Sequence, residues 1–362
     1  MFSVIGFAAG AWAPLAPFAR QRLGVGDAGL GLLLLSLGAG SILAMPIAGA
    51  LAARFGCRPV LLTAAAAACL VFPALATVGQ VPLMAAALCV FGVAIGSLDC
   101  VINMQAIVVE RDSGRALMSG FHALYSLGGF AGAGAMSAMI GLTVPLLLAG
   151  AAVAAAMALA SAASASGLFA RQADEPGPLF AQPHGAVVLI GVFCFVVFLT
   201  EGSALDWSAV FLRIVRRASP AEAGLGYVAF AIAMTAGRLA GDRIVTRLGL
   251  RATVSAGALV AAAGLAFATL APGWPSAVVG YALVGAGCSN IVPALFTAVG
   301  RQTAMPESQA VPAISVMGYA GILAGPAGIG YVASLTSLPA ALLMVAAMLM
   351  AVCLAAVRLP DR

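Results

Sequence analysis

Two stretches decide the reading of this chain. One is Gly49-Ala50-Leu51-Ala52-Ala53-Arg54-Phe55-Gly56-Cys57-Arg58. The other is Gly241-Asp242-Arg243-Ile244-Val245-Thr246-Arg247-Leu248-Gly249-Leu250-Arg251. Both end as Arg-x-Gly-x-Arg, and each joins two long apolar runs. A tight turn needs glycine where the backbone takes a positive φ, and flanking arginines suit the carbonyls at helix C-termini. Further pairs recur at the same offset of about 193–195 residues, as in a membrane chain built from two copies of one unit. Trp12 answers to Trp207, and Gly29-Leu30-Gly31 answers to Gly224-Leu225-Gly226. Two copies place a cavity between them, which is the architecture of a secondary transporter.

The composition agrees with a lipid solvent. The chain is 63% apolar and 8% charged, with a mean hydropathy of +1.11. So few charges would not keep a soluble domain of this length solvated. The apolar runs are long and uninterrupted, so the spans are helices and not the alternating strands of a membrane barrel. The 43 glycines would weaken soluble helices, but in a membrane bundle small residues let backbones approach. The net charge of +5 does not point to nucleic acid, because every basic residue is arginine and almost all sit in the breaks between spans. The cysteines are scattered, mostly within spans and never as CxxC, and read as inert buried thiols. No metal-spaced cluster, phosphate loop or nucleophile–base grouping is visible. The reading is therefore not an enzyme, with no cofactor and no metal, and ATP does not drive transport within the chain.

Twelve spans are expected near 2–20, 28–52, 60–78, 82–104, 118–140, 143–166, 187–212, 223–245, 252–271, 276–299, 310–333 and 338–357. The fold class is all-α: two pseudo-symmetric six-helix bundles, 1–166 and 187–362, joined by a polar linker at 167–186. With the N-terminus inside, the cytoplasmic breaks and tail hold twelve arginines, Arg238 among them, against five on the other side. That bias predicts both termini cytoplasmic in an inner membrane. The first span opens at Met1-Phe2 without a basic flank, which predicts an earlier start adding about 8–20 residues.

Several polar residues interrupt the spans. Gly92, Gly96, Asp99 and Asn103 share one face of the fourth span, with His122 near the start of the fifth. An ionisable residue within a span usually marks an ion or substrate path. Asp99 and His122 therefore read either as a site for protons or substrate, or as a structural lock near the membrane surface. On the seventh span Glu201 lies about 22 Å along the helix and Asp206 about 30 Å. Five residues rotate about 140°, so both cannot face one cavity. Glu201 is favoured as the functional acid, and Asp206 is expected to pair with Arg213 or cap a kink. Asn290, beside Pro293, either binds a polar ligand or fills backbone groups freed by the proline. Trp12 and Trp207 fit either a cavity or an interfacial aromatic belt.

At the repeated turn the chain resembles the major facilitator superfamily, whose signature lies between spans two and three and recurs between eight and nine. Arg54, Gly56 and Arg58, then Asp242, Arg243, Arg247, Gly249 and Arg251, match it; Ala53 or Gly49 stands where the first copy would carry an acid. Asp99-x3-Asn103 with Phe121-His122-x2-Tyr125-Ser126, and the run Glu201 to Arg213, are similar to uncharacterised bacterial members near the fucose-permease-like sugar transporters. The resemblance covers nearly the whole chain. It implies a major facilitator fold working by alternating access, with spans one, four, seven and ten lining the cavity. Trp12, Asn103, Trp207 and Asn290 then become lining candidates, with Tyr125, Tyr227 and Tyr319 reaching in from neighbours. The loop motif reads as a gate. The implied partners are a small polar solute, sugars among the candidates, protons and the lipid bilayer, with a monomer sufficing. Efflux of amphipathic compounds is the alternative, weakened because span five lacks the proline of drug antiporters. A non-transporting sensor on the same fold is a further alternative.

Overall fold

The computed structural model describes residues 1–170 and 182–359. The linker residues Arg171, Asp174, Glu175, Pro176 and Pro178 lie outside the described residues. Among those described the chain is helical, with no strand. Twelve long helices follow one another: α1 Phe2–Leu23, α2 Asp27–Phe55, α3 Cys57–Thr77, α4 Val81–Ser113, α5 Met118–Gly141, α6 Leu146–Ser164, α7 Ala186–Val210, α8 Leu225–Leu248, α9 Leu250–Leu270, α10 Trp274–Val299, α11 Glu307–Leu335 and α12 Leu338–Ala355. All but α8 are long and apolar enough to cross a membrane. The exception carries Arg238, Asp242, Arg243 and Arg247.

Three spans are irregular. A 3-10 turn over Ala13–Leu15 interrupts α1 at Pro14, where the missing N–H breaks the α-helical ladder. A π-turn over Phe211–Val215 extends α7. Ser289 and Asn290 break α10 into Trp274–Cys288 and Ile291–Val299.

The chain forms two compact units. One comprises 1–108, 124–182 and 306–312; the other comprises 109–123, 183–305 and 313–362. Segment 109–123, joining α4 to α5, packs with the second half, and 306–312, opening α11, packs with the first.

Within each unit, helix pairs close on glycine. In the first, a methyl group on Gly92 of α4 would collide with the Leu37 carbonyl of α2, and one on Gly128 of α5 with the Ser3 carbonyl of α1. In the second, Gly285 of α10 meets the Phe230 carbonyl of α8, and Gly321 of α11 meets the Phe195 carbonyl of α7. The contacts recur at the sequence offset, so the repeat is a repeat of backbone-to-backbone packing. Such approaches replace the hydrophobic driving force that lipid removes and admit weak Cα–H···O contacts.

A second device also recurs. Arg22 at the end of α1 donates to the carbonyls of Leu75, Ala76 and Val78 at 3.0, 2.8 and 2.9 Å, closing the C-terminus of α3. Arg216 beyond α7 does the same for α9, donating to Ala268 and Thr269 at 3.1 and 2.6 Å. The last carbonyls of a helix lack intrahelical partners and carry partial negative charge, so guanidinium groups satisfy both needs. Two arginines of the less basic side are thus helix clamps.

Gly92→Ala and Gly285→Ala are expected to destabilise the protein by about 1–3 kcal/mol each, as overpacking does. Gly134→Ala, where an added methyl meets nothing, should be near neutral. Thermal unfolding in detergent checks this. Equal melting temperatures for all three would remove glycine contact as the organising interaction.

Candidate transport-site residues

The second unit buries an ion pair. Glu201 of α7 lies with Oε1 3.9 Å from Nη2 of Arg238 on α8, with side-chain exposures of 18% and 7%. This corrects the assignment of Arg238 to a cytoplasmic break: it lies well inside the helix Leu225–Leu248 and is buried. The bias therefore falls to eleven arginines against five. The missed signal was an arginine preceding the loop motif by a full helical turn, on the span adjoining Glu201. Removing two charges from water is tolerable only when they compensate each other.

Asp206 is exposed. Among the described residues no ion pair joins it to Arg213, which corrects that expected pairing. The π-turn redirects Arg213, whose Nη1 donates to the Ala218 carbonyl at 2.7 Å.

In the first unit, Gly92 and Gly96 seat α4 on Leu37 and Ser41 of α2. Further along α4, the Asn103 amide donates to the Asp99 carbonyl at 2.8 Å, with its carboxylate at 3.4 Å. Asn103 is 1% exposed, and its Oδ1 has no partner among the described residues. Asp99 belongs to this unit and His122 to the other. His122 Nδ1 is 2.9 Å from the Met118 carbonyl, which fits a tautomer protonated at Nδ1. Its ring lies against Phe296 of α10 at 5.8 Å between centroids.

Asn290 sits at the break in α10. Its amide donates to the Gly237 carbonyl of α8 and to Ser289 Oγ, both at 3.0 Å. Its Oδ1 lies over Gly241 and has no partner. The side chain thus ties the broken span to α8. Trp12 is buried at the end of the first segment of α1. Trp207 packs on Gly330 of α11, with its Nε1 buried and without a hydrogen-bond partner among the described residues. Tyr319 meets Phe198 edge-on at 6.2 Å, and Tyr227 stacks on Phe230. The Tyr125 carbonyl of α5 lies against Gly6 of α1.

The two Arg-x-Gly-x-Arg turns share one backbone conformation. Gly56 has φ 86°, ψ 162° and Gly249 has φ 78°, ψ 169°, a region reserved for glycine. Arg54 lies over the Phe55 ring at 5.1 Å. The Arg58 amide donates to the Phe169 carbonyl at 3.2 Å, and Arg251 Nε to the Leu359 carbonyl at 2.7 Å. Beyond this the copies differ. Asp242 accepts from the Gly120 N–H at 3.1 and 3.2 Å. The corresponding Gly49 instead packs on Pro312 and the Ser308 carbonyl.

Glu110, near the C-terminal end of α4, completes the arrangement. Its Oε2 accepts from the Leu117 and Met118 amides at 2.8 Å each, and its Oε1 accepts from Thr297 Oγ1 at 2.5 Å. Two carboxylates therefore hold the N-terminus of α5, where orphan amides and the helix dipole favour negative charge.

Twelve long helices in two repeated sets, eleven of them long and apolar enough to cross a membrane, with a buried ion pair and acid-capped loops, define a membrane helix bundle. No family model matches the chain. Over 353 residues it is 51% identical to an uncharacterized MFS-type transporter of Yersinia pestis, covering 97% of this chain and 92% of that one. The chain therefore belongs to the major facilitator superfamily, and it is a transporter, not an enzyme. The same fold is seen in the Escherichia coli fucose:proton symporter FucP, with a TM-score of 0.78 at 16% identity, covering 99% of this chain and 97% of that one. It is seen again in the human organic anion transporter MFSD10, with a TM-score of 0.75 at 16% identity and 98% of both chains covered.

Arg238→Gln leaves the Glu201 carboxylate buried without its counter-charge and should cost about 3–5 kcal/mol. Glu201→Gln/Arg238→Gln should recover most of that loss. If single and double variants melt at the same temperature in detergent, the two side chains are not coupled.

Proposed function

We propose that the chain carries a small polar organic solute, sugar-like in its hydrogen-bonding character, across the bacterial inner membrane by proton-coupled alternating access. In this reading both termini are cytoplasmic, and the bundles 1–166 and 187–362 are the bodies that move. One observation carries it: the Glu201–Arg238 pair, a carboxylate and a guanidinium held in apolar surroundings at 3.9 Å. Protonation of Glu201 removes one member of the pair. A solute oxygen can then take the place of the neutralised carboxylate beside the guanidinium. Proton binding and solute binding are linked through a single side chain, and a site whose charge state changes biases a two-state element.

Asp99 and Asn103 support the reading from the other half. Their mutual contact leaves Asn103 Oδ1 as a buried acceptor with no partner, suited to a solute hydroxyl. Asn290, His122, Trp207 and Tyr319 of the second unit, and Trp12 and Tyr125 of the first, are proposed as further solute contacts, each taken within its own unit. The relation of FucP to fucose and protons is that protein's own; here it guides the choice of first solutes to assay.

Glu201→Gln in proteoliposomes is expected to abolish proton-driven accumulation while leaving solute counterflow measurable. Accumulation at the wild-type level would remove Glu201 from the coupling. In the same assay Asp99→Asn should impair transport more than Asp206→Asn at equal expression; the reverse order would place the second acid at Asp206. Thermal stabilisation across a metabolite set identifies the solute, and export from loaded vesicles under an imposed proton gradient would favour efflux.

A further inference from the structure

Beside the second copy of the loop motif, the second unit holds a cavity of about 580 Å³ whose lining includes neither Glu201 nor Arg238. Its walls carry Arg115 from the α4–α5 connection, Arg243 and Arg247 from the end of α8, and Arg301 from the α10–α11 connection. Among the described residues no hydrogen bond or ion pair engages any of these four guanidinium groups. The one acid in the wall, Asp242, has both carboxylate oxygens directed to the Gly120 N–H. Among the described residues, four arginines thus line one space whose one acid is engaged by a backbone amide. Gly249 and Leu250, which open α9, also line the cavity, and the first amides of a helix add partial positive charge.

We propose that this cavity is an anion site for a phosphate-bearing group, either the headgroup of an anionic lipid or a soluble phosphorylated compound. The guanidinium fork matches phosphate oxygens two at a time. The volume falls within the range of small-ligand pockets and exceeds what a lone inorganic phosphate fills, so a diphosphate or a glycerophosphate suits it. An occupant would bridge three separate connections and relieve the mutual repulsion of the arginines. It would also strengthen the hold on segment 109–123, which Asp242 and Glu110 already anchor. The site is distinct from Glu201 and Arg238 and stands whether or not the proposed solute is right.

The test uses the purified full-length chain in phosphatidylcholine nanodiscs. One arm adds phosphatidylglycerol to the bilayer and counts retained lipid by native mass spectrometry. The other titrates inorganic pyrophosphate by calorimetry. Saturable binding of one copy is expected in at least one arm, and the arm that binds identifies the source as lipid or soluble anion. Arg243→Gln/Arg301→Gln should weaken that binding by about tenfold or more, because charge-assisted pairs are lost. Arg115→Gln, on a separate connection, should weaken it to a lesser degree and serves where the double variant folds poorly. Arg358→Gln, exposed at the end of α12, should leave it unchanged. Absence of binding in both arms would overturn the proposal. So would wild-type binding by Arg243→Gln/Arg301→Gln and Arg115→Gln, or an equal loss in Arg358→Gln.

Discussion

Direct contact of one helix backbone with another is the constraint on which the rest of this structure depends. In lipid, burying apolar side chains gains little, since the tails are as apolar as leucine. Helices must instead find close packing, and each Cβ stands in the way. The chain removes it at matched points: Gly92 and Gly128 in one half, Gly285 and Gly321 in the other. Carbonyls of Leu37, Ser3, Phe230 and Phe195 occupy the space so made. The polar residues then take positions that this packing sets. Gly92 and Gly96 seat the face of α4 that leads to Asp99 and Asn103. Gly285 seats α10 against α8, so that Asn290 reaches the Gly237 carbonyl.

What the sequence displayed and what it concealed follow from the same physics. Span number and order were legible because hydrocarbon thickness imposes a length on every helix. The turn glycines were legible because Arg-x-Gly-x-Arg occurs twice at the repeat offset, and both adopt the positive φ that the motif requires. The Asp99–Asn103 contact was legible as an i, i+4 pair. Arg238 was not. Local reading attached it to the arginines that follow it, and only the neighbouring span shows that its partner is Glu201. Arg22 and Arg216 were hidden for a related reason: a topology count treats arginine as a surface charge and is blind to carbonyls on another helix. Glu110 needed the fold as well, since its partners at Leu117, Met118 and Thr297 span both a loop and a distant helix.

The irregular points lie where polar side chains replace lost backbone bonds. The break in α10 frees backbone groups in a setting without water, and Asn290 ties that break to α8. The π-turn after α7 turns Arg213 to the Ala218 carbonyl and leaves Asp206 exposed. Of the two acids on that span, only Glu201 therefore keeps a buried counter-charge. Five residues of regular helix set the two acids on different faces.

The two copies of the loop motif have diverged in what they contact, and the divergence is physically consistent. Gly49 gives a steric contact, packing against Pro312 and the Ser308 carbonyl at the start of α11. Asp242 gives an electrostatic one, accepting from the first turn of α5. A steric contact depends little on ionic strength or proton concentration. A carboxylate on backbone amides does depend on them, because protonation removes the charge that the helix N-terminus favours. Glu110 reinforces the second contact from the opposite flank, and Thr297 extends it to α10. One end of the repeat is thus held by shape and the other by charge. Any change in the charge around α5, whether from protons or from an anion among the neighbouring arginines, acts on the second hold and leaves the first untouched.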